Sequence, residues 1–282
     1  MNRITTVVLV LVALSAAACR EQIESAEGGV TTSVASSSST GPASTFVPPT
    51  DATTSTTSTT STSTTTTSTT STTSTTSTTT LPPEPTTTAC EQVVHIGDST
   101  SISLFDPTGV GGDELTIEQR YRDAGVSVVY PDNDGARAII EHLDSDLNAL
   151  EVAQGVRDNG YHGCWVLMIG TNDAANIAAG ADVPAEERIR RMLRVIGEDP
   201  VLWVNAVTQR TEDAYRNASM LAWNDELERV TAEYPSVRVF DWYDVVQPQW
   251  FRNDGIHYTV EGSAQRARLT AEALVDAFPK TG

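Results

Sequence analysis

Five short apolar runs recur between residues 93 and 240, and stretches of helical character separate most of them. The runs are rich in Val, Ile and Trp, and they lack the alternation that marks a half-exposed strand. Such runs are typical of strands buried on both faces of a parallel sheet. The predicted strands span residues 93–96, 126–130, 165–169, 201–207 and 237–240.

The stretches between and after these runs carry helix signals, such as Pro184 in a first turn and Thr259 as an N-cap. The predicted helices span residues 115–124, 136–158 with a break near Asp144, 184–196, 219–234 and 261–278. Strands that alternate with helices imply right-handed crossovers and an α/β fold, here a three-layer α/β/α sandwich around a five-stranded parallel sheet. We expect the flavodoxin-like strand order 2-1-3-4-5, with a ligand crevice between strands one and three.

The first 19 residues resemble a bacterial export signal, with Arg3, an apolar stretch at residues 7–14 and small residues before Cys19. The apolar stretch is shorter than the roughly 20 residues that a membrane span needs. We therefore predict a lipoprotein-type signal peptide at 1–19, with a lipid on Cys19 that anchors the protein to the outer face of the cell membrane. A plain secretory signal with an incidental cysteine is the alternative.

Residues 20–88 offer almost nothing to a hydrophobic core. Every residue from 53 to 80 is Ser or Thr, so no apolar surface offsets the entropy cost of ordering this segment. We predict a disordered extracellular stalk, either O-glycosylated or a bare spacer. The remaining residues, 89–282, have the length of one ordinary domain.

The chain is strongly acidic, with 18 basic and 37 acidic side chains and a formal charge of −19. Residues 1–88 hold two of the basic and five of the acidic side chains, which leaves 16 and 32 and a net charge of −16 for residues 89–282. Such a surface repels nucleic acid, so we expect no nucleic-acid partner. No P-loop or dinucleotide-binding glycine pattern is present, and the four histidines do not cluster with cysteines, so neither a cofactor nor a metal is expected.

Polar and glycine-rich turns follow the predicted strands where the carboxyl ends of parallel strands share one edge of the sheet. Ser99 follows strand one, Gly135 lies in the turn after strand two, and Asn172 follows strand three. Asp254 and His257 come in the long loop after strand five. Together these turns supply the hydroxyl, imidazole, carboxylate, amide and backbone groups that acyl transfer requires.

Cys90 and Cys164 precede strands one and three at similar distances, seven residues before Gly97 and six before Gly170. If those strands are neighbours, both cysteines lie at the edge of the sheet opposite the polar turns. Because an exported protein retains disulfides, we predict a structural Cys90–Cys164 bond. Two buried free thiols are the alternative.

The polar turns also occur as motifs in a recognisable order. They are Gly97-Asp98-Ser99, Gly135, Gly170-Thr171-Asn172-Asp173 and Asp254-Gly255-Ile256-His257. This set resembles the four blocks of the SGNH hydrolase family, also called GDSL esterases, over about residues 93–278. Three blocks are close, whereas a lone glycine in the second block carries little information.

The resemblance implies a role for each of these residues. Ser99 would be the nucleophile, His257 the general base and Asp254 the carboxylate that orients the imidazole. Asp241 and Asp244 are alternative orienters, although their spacing is not that of the family. The oxyanion hole would consist of the Ser99 N–H, the Gly135 N–H and the Asn172 side chain. Alternatively, Asn172 shapes an Asx turn and Gly135 begins a helix. Asp98 and Asp173 would brace their turns.

These observations favour an extracytoplasmic serine ester hydrolase in the cell envelope, acting on short acyl esters, chiefly acetyl, of cell-wall or extracellular glycans. An O-acyltransferase that modifies cell-wall glycans with a membrane partner and a non-catalytic glycan-binding module are the alternatives. The aromatic residues of the late loop line an acyl pocket, form a sugar platform or simply pack the loop. They are Trp242, Tyr243, Trp250 and Phe251. The sequence leaves the oligomeric state open.

Overall fold

The computed structural model describes residues 86–143 and 147–281. The predicted signal segment with Cys19, and the predicted stalk up to residue 85, lie outside the described residues, so both stay predictions. Within the described part of the chain, no helix combines the length and the apolar character needed to cross a membrane.

Five parallel strands form the centre of the domain. They are β1 Gln92–Gly97, β2 Val128–Asn133, β3 Cys164–Met168, β4 Val201–Val204 and β5 Val237–Phe240. Their order is β2-β1-β3-β4-β5, so the predicted α/β fold and strand order are confirmed. The register sets Gly97 opposite Asn133 on one side and Met168 on the other, which brings the ends of three strands together.

Helices cover both faces of this sheet. They are α1 Ser99–Ile102, α2 Pro107–Val110, α3 Ile117–Asp123, α4 Ala149–Asp158, α5 Thr171–Ala178, α6 Ala185–Ile196, α7 Asn217–Thr231, α8 Trp242–Val245 and α9 Val260–Ala277. Side chains from α4, α6 and α7 form a core on one face, and side chains from α3 and α9 form a core on the other. Adjacent β3 residues such as Trp165 and Val166 enter opposite cores, which explains why the strand is apolar without alternation.

The predicted helix at 136–158 is wrong over its first half, because the helix begins only at Ala149. Asn148 caps it, since its side chain accepts the Glu151 N–H and the Glu151 carboxylate accepts the Asn148 N–H. Before the cap, Ala138 and Ile139 are fully buried in a non-helical segment. The apolar pattern at 138–140 therefore reflects burial of a loop beside the site, and Asp144 lies outside the described residues.

Two predicted strand boundaries also differ from the structure. β4 stops at Val204 instead of residue 207, because the Asn224 side chain takes both backbone polar groups of Ala206, at 2.9 and 2.8 Å. β2 runs to Asn133 instead of ending at residue 130, and it includes Pro131. A proline is tolerated there because β2 is an edge strand and one ladder donor is dispensable.

The predicted disulfide is confirmed. Cys90 and Cys164 are bonded, with their Cα atoms 5.6 Å apart, and Cys164 pairs in register with Val93 near the amino end of β1. For a loop of 74 residues, the chain-entropy estimate of the stabilisation is about 4 kcal/mol. Thr88, assigned to the stalk by its sequence, is buried and donates to Phe278 O at 2.8 Å, beside the same end of the sheet.

Candidate active site

The turn after β1 presents Ser99 at the start of α1. Asp98 Oδ1 accepts hydrogen bonds from the Thr100 N–H at 2.8 Å and the Thr100 hydroxyl at 2.7 Å. Burial raises the pKa of Asp98, and the hydrogen bonds from Thr100 work in the opposite direction. Asp98 therefore shapes the turn as a buried cap, while Ser99 remains partly exposed beside it.

Gly97 is required here by close packing. A Cβ at this position would lie 1.8 Å from Ser101 Oγ and 2.2 Å from Asn133 Oδ1. The Ser101 hydroxyl itself lies 2.6 Å from Asn133 Oδ1 and joins the α1 turn to the end of β2. The glycine of the first motif thus makes room for a contact between α1 and the end of β2.

Arg266, on α9, stabilises the turn that presents Ser99. It is 3% exposed, and its Nη1 donates to Thr100 O at 2.9 Å and to Thr100 Oγ1 at 2.7 Å. The guanidinium carbon lies 4.8 Å from the centre of the Tyr258 ring, so the cation is held between the turn and an aromatic face. Nothing in the sequence distinguishes Arg266 from the other arginines of the chain, and it was not predicted.

Ser99, His257 and Asp254 lie within hydrogen-bond distance of one another. His257 Nε2 is 2.9 Å from Ser99 Oγ, and His257 Nδ1 is 2.9 Å from Asp254 Oδ2. An ionised carboxylate can only accept, so the proton belongs on Nδ1 and leaves Nε2 free to accept the serine hydroxyl proton. This arrangement can activate a serine for attack on a carbonyl carbon.

Asp254 is held in its ionised form. Partial desolvation works to raise its pKa, but hydrogen bonds from the Ile256 N–H and from the side chain and N–H of His257 outweigh it and lower the pKa to about 2. The two alternative orienters lie elsewhere, since Asp241 accepts from Asn205 Nδ2 at 2.8 Å and from the Asp244 N–H at 3.2 Å. The carboxylate in contact with the imidazole is therefore that of Asp254.

Asn172 stands at the start of α5, immediately beyond β3. Its Nδ2 donates to Arg137 O at 3.0 Å, and its Oδ1 accepts the Tyr215 hydroxyl at 2.9 Å. A carboxamide nitrogen carries two hydrogens, so one remains for a further acceptor. Tyr215 was not predicted from the sequence.

Gly135 lies in the turn after β2, at the same edge of the sheet. Its N–H donates to Asp134 Oδ1 at 2.7 Å, so the amide is already engaged. A Cβ on Gly135 would meet nothing within 4 Å, so packing does not require a glycine there. The oxyanion role of Gly135 stays a prediction, and it requires the Asp134 side chain to turn away.

No protein-family model matches the sequence, and no curated protein matches it. Solved structures do match. One is a carbohydrate acetylesterase family member from Sinorhizobium meliloti, with a TM-score of 0.52 and 20% identity over 66% of this chain and 98% of that chain. Another is the lipase/acylhydrolase from Enterococcus faecalis, with a TM-score of 0.51 and 16% identity over 68% of this chain and 100% of that chain.

The domain shares the fold of these two solved structures. The four polar turns lie at the carboxyl edge of the sheet, and a cleft of about 340 Å³ opens beside Ser99 and His257. Its lining mixes apolar and polar side chains. The lining residues are Ser99, Thr100, Ile102, Ser103, Asp106, Thr108, Gly109, Arg252, His257, Tyr258 and Val260.

The four aromatic residues considered for an acyl pocket or a sugar platform do not line this cleft. Trp242 stacks on Trp250 with ring centres 5.8 Å apart, and its Nε1 donates to the Tyr258 hydroxyl at 2.7 Å. Trp242, Trp250 and Phe251 are buried, whereas Tyr243 is half-exposed. Of the three roles considered for these aromatics, packing of the loop is the one that the structure shows for the buried members.

Three ion-paired residues, of which two are completely buried, hold the segment before α4 against the site. Arg188 of α6 donates to Asp173 Oδ1 at 2.9 Å and pairs through both terminal nitrogens with Glu141. Asp173 also accepts the Ile139 N–H at 3.1 Å, and burial raises its pKa to about 6 despite the arginine. Asp173 thus braces residues 137–141, which include the Arg137 carbonyl that contacts Asn172.

His95 lies in the core of the domain. His95 is fully buried beside Tyr121, with 3.0 Å between Nδ1 and the tyrosine hydroxyl, and burial together with Arg266 lowers its pKa to about 3. It is therefore a neutral core residue. Among residues 86–143 and 147–281, no group of three or more histidine, cysteine or acidic side chains is placed to hold a metal ion.

Proposed function

We propose that the protein is a serine-dependent carboxylic ester hydrolase. The observation that carries this proposal is the chain of contacts from Asp254 to His257 to Ser99, with two successive distances of 2.9 Å. These contacts lie beside the carboxyl end of β1, at the edge of the sheet where open α/β sheets bind their ligands, which supports the proposal.

In the acylation half-reaction, Ser99 Oγ attacks the ester carbonyl carbon while its proton passes to His257 Nε2. Asp254 stabilises the imidazolium that results. The tetrahedral intermediate collapses with cleavage of the bond to the alkoxy oxygen, and the alcohol leaves with the proton from His257. Water then attacks the acyl-Ser99 ester by the reverse sequence of proton transfers, which releases the carboxylic acid and restores the serine hydroxyl.

The negative oxygen of the intermediate requires hydrogen-bond donors. The free Nδ2 hydrogen of Asn172, the Ser99 N–H and, after rotation of Asp134, the Gly135 N–H are the donors of this proposal. Loss of one such donor typically costs about 3 kcal/mol of transition-state stabilisation. The position of Asn172, 4% exposed and bonded at both ends of its amide, supports a fixed donor.

The substrate that we favour is a short acyl ester, chiefly acetyl, on a cell-wall or extracellular glycan. A cleft of about 340 Å³ that has Asp106, Thr108 and Arg252 in its lining suits a small acyl group and a hydroxylated leaving group better than a long acyl chain. The similar structure from S. meliloti is named a carbohydrate acetylesterase family member, which supports the same substrate class. The predicted export signal and lipid on Cys19 would place the domain beside such glycans, in the cell envelope.

The test is hydrolysis of 4-nitrophenyl acetate, butyrate and octanoate by the full chain and by Ser99→Ala. We expect the acetate to be the best substrate and Ser99→Ala to reduce kcat by at least about a thousandfold. Ser127→Ala, at an exposed serine before β2, is the matched control and should retain full activity. Activity that is the same in Ser99→Ala and in the wild type would contradict the mechanism.

Product analysis with an acetylated glycan separates hydrolysis from transfer. Release of acetate to water supports the hydrolase, whereas a newly acetylated glycan acceptor supports the O-acyltransferase alternative. The acylation step and its residues are the same in both cases.

A further inference from the structure

Tyr215 lies in the loop of residues 205–216, between β4 and α7, and it is half-buried. Its hydroxyl donates to Asn172 Oδ1 at 2.9 Å, across 43 residues of sequence. We propose that Tyr215 is a positioning residue, which holds the Asn172 amide in the orientation that binds the reacting oxygen. This inference rests on the proposed function and deepens it.

Both ends of the Asn172 amide are hydrogen-bonded. Oδ1 accepts from Tyr215, and Nδ2 donates to the carbonyl of Arg137 at 3.0 Å. A flipped amide would set Oδ1 against the Arg137 carbonyl, and two acceptors repel. The two contacts therefore fix the plane and the direction of the amide, so that the second Nδ2 hydrogen has one defined direction.

The Tyr215 contact also strengthens that donor. Donation to the oxygen of an amide polarises the group, and its N–H then forms a stronger hydrogen bond to a developing negative charge. Desolvation, together with the negative charge of Asp98, raises the pKa of Tyr215, so the phenol keeps its proton and stays a donor.

The loop holds Tyr215 itself by its backbone. Thr208 Oγ1 donates to Tyr215 O at 2.6 Å, and the Tyr215 N–H donates to Asp213 Oδ1 at 2.8 Å. Asp213 has a φ of +61°, a left-handed backbone conformation that residues other than glycine rarely adopt. Its carboxylate receives the Arg210 guanidinium, which ties this unusual turn to the rest of the loop.

The loop of residues 205–216 also contacts the turn that holds Asp254. Arg210 Nη1 donates to Asp254 O at 3.3 Å, and the Gln209 N–H donates to Gly255 O at 2.7 Å. One segment therefore supports both the carboxylate that orients His257 and the amide that faces the reacting oxygen. These hydrogen bonds hold the loop of residues 205–216 in place, although the loop carries no catalytic motif.

The experiment compares Tyr215→Phe, Asn172→Ala and the double variant with the wild-type full chain. Two rates are measured: hydrolysis of 4-nitrophenyl acetate and labelling by a fluorophosphonate. In labelling, the bond from Ser99 Oγ to phosphorus forms, fluoride leaves, and the serine proton passes to His257. Tyr130→Phe, at an exposed tyrosine of β2, is the matched control.

We expect Tyr215→Phe to lower kcat and the labelling rate about tenfold while KM changes less than about twofold. Asn172→Ala should lower both rates at least about a hundredfold. The double variant should be no slower than Asn172→Ala, because Tyr215 acts only through that amide. Tyr130→Phe should match the wild type, and thermal denaturation should show Tyr215→Phe folded at the assay temperature.

Two results would overturn the proposal: wild-type rates in Tyr215→Phe, or losses that multiply in the double variant. Labelling keeps this test separate from the proposed function, because it needs an activated serine and an oxyanion site but no ester turnover. A protein that is labelled at Ser99 yet hydrolyses no ester would refute the hydrolase and still test Tyr215. A wild-type chain that shows neither labelling nor hydrolysis would refute both.

Discussion

Gly97, two residues before the proposed nucleophile Ser99, has no room for a side chain. The Ser101 hydroxyl would lie 1.8 Å from a Cβ at this position, and its bonds to Asn133 Oδ1 and Asp98 O prevent it from moving freely. The glycine therefore acts on Ser99 indirectly, since the turn that presents the hydroxyl closes only when position 97 has no side chain.

Gly97→Ala is expected to lower the free energy of unfolding by about 1–3 kcal/mol, as an overpacked site does, and to reduce kcat more than tenfold. Chemical denaturation and hydrolysis of 4-nitrophenyl acetate measure the two effects. The matched control is Gly155→Ala in α4, where a Cβ meets nothing within 4 Å and alanine favours the helix. A Gly97→Ala variant as stable and active as the wild type would show that the turn tolerates a side chain.

At the scale of elements, the trio of Asp173, Arg188 and Glu141 joins α5, α6 and the segment before α4. Asp173 and Arg188 are both completely buried, so neither ion has water to solvate it. Removing one partner of such a pair leaves a buried charge, which makes the trio sensitive to substitution and to pH.

Burial raises the pKa of Asp173 from 3.8 to about 6, so between these pH values the folded chain binds a proton that the unfolded chain has lost. The stability linked to this proton is present below about pH 4 and is lost as the pH rises through about 6. Across that window, the wild type should lose on the order of 3 kcal/mol relative to Asp173→Asn, which does not titrate. Urea denaturation at pH 4, 5, 6 and 7 measures the difference, and a difference that stays constant with pH would contradict the assignment.

The elements also show what a sequence can predict. Alternation of apolar runs with helices was enough for the parallel sheet and its order, because each run is buried on both faces. The helix at 136–148 was predicted wrongly, since the buried residues there pair with Asp173 and α4 instead of forming a turn of helix. Tyr215, Arg188 and Arg266 belong to no motif, because their partners lie 15 to 166 residues away in the sequence.

At the scale of the whole molecule, the folded domain has two distinct ends. Ser99 lies at the carboxyl end of β1, and the disulfide and Thr88 lie beside its amino end. Thr87 O accepts the Lys280 N–H at 2.9 Å, so the chain joins the domain next to its own carboxyl-terminal segment. The six residues of β1, at about 3.3 Å each, separate this junction from the proposed site by roughly 20 Å.

If Cys19 carries the predicted lipid, the domain is held by the end that faces away from its cleft. Cys19→Ala is then expected to shift the protein from the membrane fraction to the soluble extracellular fraction without changing kcat, because no residue of the site is altered. Fractionation of expressing cells followed by an ester assay measures both. An equal membrane-bound share in the wild type and in Cys19→Ala would contradict the lipid anchor.

Peptide mass spectrometry after fluorophosphonate treatment of the full chain tests whether His257 activates Ser99. We expect one adduct, on the peptide that contains Ser99, and its loss in His257→Ala. An adduct on a different residue, or labelling of Ser99 at the wild-type rate in His257→Ala, would contradict it.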